Sequence, residues 1–180
     1  MRFPRRPLYF LLPLLALLLV SNCGLLTPQH DRYVTIVYVV RHAEKDLTPG
    51  LADPPLTPAG QKRAVALREK IFEQARPSII FTTNTARTRA TVQPLADLMK
   101  LTPQTYDAKQ LPALARQIRR DHRGRVAVVV GHSNTILETV EALGARRPVA
   151  SVPDEQYGYL FKVKIPRDST QAATVETQMY

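Results

Sequence analysis

Residues 34–40 form a run of apolar and β-branched side chains, broken only by Thr35, that stops abruptly at Arg41-His42. A strand with one wet face alternates polar and apolar residues. A run without alternation suits a strand covered on both faces, as in the interior of a parallel sheet. Two shorter runs end the same way: residues 78–81 lead into Thr82-Thr83-Asn84, and residues 126–130 into Gly131-His132. Helix signals lie between them. Thr57 is a candidate N-cap with Pro58 at the first helical position, which predicts a helix to about Gln74. Thr85 opens a second helix reaching about Lys100, residues 109–120 form a third with its basic end at the C-terminus, and Ser133 caps a fourth ending near Leu143. Residues 104–106 suit a short strand, residues 157–165 alternate and close the sheet as an edge strand, and the polar stretch from Arg167 onward reads as a loose tail. Strands alternating with helices predict a three-layer α/β/α domain over residues 34–166, with a mostly parallel central sheet and a tail over 167–180.

The start of the chain belongs to a different class. Arg2, Arg5 and Arg6 precede an apolar stretch over residues 8–20 that contains Pro13. That is short of the ~20 residues a membrane span needs, so residues 1–22 read as a secretory signal and 23–33 as a linker. Cys23 is the only cysteine, which excludes an internal disulfide. The stretch around it resembles a bacterial lipoprotein processing site, although Asn22 stands where a small residue usually precedes the cysteine. The resemblance implies a lipid on Cys23 and an exported, membrane-anchored protein facing the periplasm or cell exterior. The formal charge of +10 includes three leader arginines and no leader acids, which leaves +7 on the remainder. That balance favours anionic ligands or membrane surfaces. No nucleic-acid-binding motif is present, and outside one cluster at residues 116–125 the basic residues are scattered, so no nucleic-acid partner is expected. No HExxH or paired CxxC spacing occurs, so neither a metal nor another cofactor is expected.

In open α/β sheets, ligands bind beyond the carboxyl ends of the strands. Here those ends carry Arg41, His42 and His132, and the helix after the second run carries Arg87. Neutral imidazole is a nucleophile, a guanidinium fork pairs with phosphate oxygens, and helix N-termini offer free N–H groups to anions. Arg87 falls in the first helical turn, where a cation opposes the macrodipole by about 0.3–1 kcal/mol. A bound phosphate reverses that penalty. Arg89 is two residues on, about 200° around the helix axis, and is expected in a surface ion pair.

Together these segments resemble the histidine phosphatase (phosphoglycerate mutase-like) superfamily. Arg41-His42-Ala43-Glu44 is similar to its Arg-His-Gly signature, with Ala43 in the glycine's place. Leu56-Thr57-Pro58-Ala59-Gly60 resembles its first helix start, residues 82–91 the segment bearing its third phosphate-binding residue, and Gly131-His132-Ser133 its second histidine. The resemblance implies a phosphoglycerate mutase-like fold and a metal-independent phosphohydrolase acting on a phosphomonoester or phosphoprotein. In that scheme His42 takes the phosphoryl group, while Arg41, Arg87 and His132 hold its oxygens. Phosphotransfer of the mutase type, or a non-catalytic lipoprotein that binds anions or a partner, are the alternatives. For the leaving-group acid, Asp97, Asp107 and Asp121 lie in the appropriate stretch, with Asp107 preferred. Glu44 is expected to orient Arg41 or a backbone group.

Overall fold

The computed structural model describes residues 34–180. The signal segment 1–22, the linker 23–33 and Cys23 lie outside the described residues. Six strands and four helices follow in the order β1 (Thr35–Arg41), α1 (Pro58–Gln74), β2 (Ile79–Thr82), α2 (Ala86–Met99), β3 (Gln104–Thr105), α3 (Leu111–Asp121), β4 (Val126–Gly131), α4 (Ile136–Ala142), β5 (Tyr159–Ile165) and β6 (Thr174–Met179). They build one sheet in the order β3-β2-β4-β1-β5-β6. The first four strands in that order are parallel, β5 pairs antiparallel with β1, and β6 pairs antiparallel with β5.

The uninterrupted apolar character of β1 has the cause inferred from sequence. Val37 and Val39 pack with α3 and α4 on one face, while Tyr38 and Val40 pack with α1 and α2 on the other. The parallel crossovers run from β1 to β2 and from β3 to β4, in opposite directions along the sheet. Right-handed crossovers then put the helix pairs on opposite faces. A crevice opens between the carboxyl ends of β1 and β4. Helix α1 begins and ends as the sequence predicts, with the Thr57 side chain accepting from the Gly60 amide at 3.1 Å.

Three expectations are corrected. The tail is not loose: β6 pairs with β5 through six residue pairs, from Tyr159–Met179 to Lys164–Thr174. Strand β5 is therefore interior, and β6 is the edge. Ser133 does not cap α4. Thr135 is the N-cap residue, and its hydroxyl accepts from the His132 amide at 3.0 Å. That turn leaves Ser133 lining the crevice.

Candidate active site

The register of the parallel strands creates the site. Arg41 lies beside Gly131, and Thr82 beside Val130. The next residues, His42, His132 and Thr83, therefore emerge in a row, and the His42 amide donates to the Gly131 carbonyl at 3.0 Å. A Cβ on Gly131 would crowd the Thr135 and Tyr106 hydroxyls at 2.9 and 3.0 Å, so this strand end must stay bare for the His132 turn to close. Arg41, His42, Arg87 and His132, the four residues expected from sequence, line one cavity of about 660 Å³ together with Lys45, Ser133, Asn134 and Tyr157.

His42 is 3% exposed. Its Nδ1 lies 2.8 Å from the Ala43 carbonyl oxygen, which can only accept, so Nδ1 carries the proton and Nε2 holds the lone pair. Burial pushes its pKa down to about 3; the Ala43 hydrogen bond opposes this, and Arg41, Arg87 and His132 reinforce it. The ring is thus a neutral nucleophile across the physiological range. His132 stands with its ring centroid 5.4 Å from that of His42 and is likewise held low, at about 4, by burial and then by Arg87, Arg41 and Lys45. Its Nε2 lies 3.0 Å from the Thr83 hydroxyl, and its Nδ1 lies 3.5 Å from Arg87 Nη2.

Arg41 is held from the far side of the chain. Its Nη1 donates to the carbonyls of Pro153, Asp154 and Gln156 at 3.0, 2.8 and 3.2 Å, and its guanidinium lies 4.2 Å from the Tyr157 ring centroid. Its Nε is buried without a partner, and so is the Nε of Arg87. An unmet buried N–H carries a desolvation cost of about 1–3 kcal/mol. Two such donors on the arginines of one cavity call for an anion. Arg87 sits at the start of α2 as predicted, where Asp53 accepts from the Ala86 amide at 2.8 and 3.1 Å and contacts Arg87 Nη1 at 3.5 Å. The Thr91 hydroxyl ties this helix to the signature segment, accepting from the Ala43 amide at 2.9 Å and donating to the Arg87 carbonyl at 2.7 Å.

Several expectations fail here. Asp107 does not line the cavity; its carboxylate is exposed and accepts from the Lys109 amide at 2.8 Å. Asp97 lines a separate groove between α1 and α2, and Asp121 pairs with Arg120 on the surface. Glu44 does not orient Arg41: it grips Arg63 at 2.7–3.0 Å. Burial raises its carboxyl, but the Arg63 hydrogen bonds, its own backbone amide and the charges of Arg63 and Arg41 together hold it below the usual range. Arg89 is exposed and donates to the Asn84 side chain instead of joining an ion pair. Sequence reasoning also missed Thr83, Asp53, Asp154, Glu155 and Tyr157. Only Thr83 carried a signal, as the second residue beyond a buried strand.

Residues 37–111 match the family described as the histidine phosphatase superfamily (branch 1). The match spans 75 of the chain's 180 residues. No curated protein matches the chain. Among solved structures, the domain is similar to the protein histidine phosphatase SixA complexed with tungstate, with a TM-score of 0.63 and 17% identity over 80% of this chain and 96% of that one. It is also similar to a mycobacterial glucosyl-3-phosphoglycerate phosphatase complexed with VO3, with a TM-score of 0.60 and 14% identity over 81% and 98% of the two chains. These identities establish a shared fold. The fold is the mixed α/β architecture of phosphoglycerate mutase-like histidine phosphatases.

Proposed function

We propose that the chain is a phosphatase that removes phosphate from a phosphomonoester or phosphoprotein through a phosphohistidine on His42. The observation that carries this reading is the His42 ring itself: neutral, with its proton committed to the Ala43 carbonyl and its Nε2 lone pair left for the cavity. Nε2 attacks phosphorus, the bond to the leaving group breaks, and the electron pair departs with that group. Arg41 and Arg87 stabilise the charge on the transferring oxygens in a largely desolvated setting. Water then attacks phosphorus and returns Nε2 to His42. Tungstate and VO3 in the two similar structures are oxyanions, which fits a phosphoryl-binding cavity. The test is rapid acid quench with labelled substrate. Wild type should yield an acid-labile, base-stable phosphoenzyme and His42→Ala none; undiminished turnover by His42→Ala overturns the mechanism.

The two guanidinium groups supply the cationic charge that a metal supplies in other phosphatases. Activity should therefore survive excess chelator, and a loss restored by Mg²⁺ or Zn²⁺ would contradict that. The basic start, the apolar stretch and Cys23 support export and lipid tethering. Stable anchoring takes two lipid signals, and the three acyl chains of a processed lipoprotein exceed that. Wild type should partition with membranes and Cys23→Ser should not; equal partitioning removes the tether.

A further inference from the structure

The second histidine is backed by buried threonines that the phosphatase mechanism does not use. Thr83 is 5% exposed and Thr88 is fully buried. The direction of each hydrogen bond follows from what each atom can do. Thr88 Oγ1 lies 2.9 Å from the Thr83 carbonyl and 3.1 Å from the Thr85 carbonyl, and both can only accept. Its single proton is therefore spent on backbone, and towards other hydroxyls it can only accept. Thr83 Oγ1 lies 3.0 Å from Thr88 Oγ1, which lies 2.9 Å from Thr85 Oγ1 as well and can accept from both, so Thr88 gives the Thr83 proton a partner away from His132. With its proton there, Thr83 Oγ1 accepts in its 3.0 Å contact with His132 Nε2. The opposite side of the ring gives the same answer. The neighbour of Nδ1 is Arg87 Nη2, at 3.5 Å, and a guanidinium has no acceptor.

We infer that Thr83 and Thr88 are positioning residues that lock His132 with its proton on Nε2, so that it presents a lone pair to the cavity and binds phosphate only together with one proton. A phosphate dianion has acceptors only, and would meet the Nδ1 lone pair acceptor to acceptor. Binding becomes favourable when one proton sits between a phosphate oxygen and Nδ1. That proton comes from solvent when the dianion binds, or arrives with the monoanion. The charged groups facing His132 are Arg87 from α2, Arg41 from β1 and Lys45 from the following loop, with the neutral His42 ring beside it and Asp154 and Glu155 on the cavity wall. Burial and then the three cations hold His132 unprotonated. A bound anion offsets them and lets the proton settle. In the second half-reaction the same Nδ1 is placed to take a proton from the attacking water as the P–Nε2 bond of phospho-His42 breaks, with the electron pair returning to His42.

The inference rests on the phosphoryl-binding reading of the cavity, but its first test needs no turnover. In the ligand-free enzyme, ¹⁵N chemical shifts of His132 should show a proton on Nε2 and a bare Nδ1; a proton on Nδ1 overturns the inference, whether or not the enzyme is active. Titration calorimetry with inorganic phosphate at about pH 8.5, in buffers of different ionisation enthalpy, should show uptake of about one proton per phosphate bound. Binding without proton uptake also overturns it. Removing the acceptor for a charged Nε2–H should weaken phosphate binding by about ten- to a hundredfold in Thr83→Val, with recovery in Thr83→Ser. Equal loss in both variants would make Thr83 a packing residue. Should Thr83→Val fail to fold, the wild-type tautomer and proton count still decide. No phosphate binding at all, with Nε2–H intact, would defeat the phosphatase reading and leave the tautomer lock standing.

Discussion

Gly60 makes a sharp test of how His42 is held. It lies in the first turn of α1, and an ideal Cβ there would overlap the Glu44 carbonyl oxygen and sit 3.1 Å from the Glu44 carbonyl carbon and amide nitrogen. That carbonyl cannot simply turn away, because it accepts from the Thr57 amide at 2.9 Å. In Gly60→Ala the helix start or the Glu44 backbone must retreat by roughly 0.5–1 Å. The Ala43 carbonyl, which fixes the His42 tautomer, shares a peptide with the Glu44 nitrogen that the new Cβ would approach. Overpacking of this kind costs about 1–3 kcal/mol, or roughly 3–10 °C in Tm for a domain of this size. Misplacing a reacting group by about 1 Å can cost a hundredfold in rate. Gly60→Ala should therefore fold with a modestly lowered Tm, read by calorimetry, and lose about 10- to 100-fold in kcat with KM little changed. Wild-type kcat and Tm together would show that the contact between α1 and the signature segment is slack, and the reasoning would fail.

Arg87→Ala should lose on the order of 3 kcal/mol of transition-state stabilisation, about a hundredfold in kcat/KM, while the exposed Arg89→Ala stays within a few-fold; the reverse ranking in steady-state assays would mean that Arg89 is the clamp. Stability should fall on acidification below pH 6.5. With His42 at about 3 in the fold and ~6.5 unfolded, the unfolded chain binds the extra proton across that window, a slope of up to about 1.4 kcal/mol per pH unit. Urea melts at several pH values should show a shallower dependence in His42→Asn, and an identical slope would contradict the neutral, buried imidazole. Truncation after Arg167 removes the β5–β6 ladder and the contact of Arg63 Nη1 with the Tyr180 carbonyl at 3.2 Å, and should lower stability by about 3 kcal/mol or more in denaturant melts; an unchanged midpoint would show β6 to be dispensable.

The legible parts of this chain were those where one local cause decides. Strand β1 is unmistakable because burial on both faces removes alternation, and Thr57-Pro58 marks α1 because capping is local chemistry. Arg41, His42, Arg87 and His132 could be gathered because a parallel sheet delivers all its carboxyl ends to one edge. Strand β6 stayed hidden because an edge strand with mostly exposed residues has no apolar pattern to read. Tyr157 and the 153–156 carbonyls were invisible for another reason: they reach Arg41 across more than 110 residues of sequence, through a loop whose conformation no short motif encodes. Asp107 was misread because a carboxylate after a strand serves equally well to bond a nearby amide. Glu44 was misread because its partner Arg63 lies a full element away.

The sheet order also sets a schedule. Strand β1 is the first of the described strands to be synthesised, yet its two neighbours are β4 and β5, which come about ninety or more residues later. Until they arrive, its run of valines has no hydrogen-bonding partner in the sheet. Pairing across such separations is slow, and an unpaired apolar strand invites association with other chains. The segment that carries His42 is thus the one left waiting longest, and the cavity comes into being only when the final third of the chain closes over it.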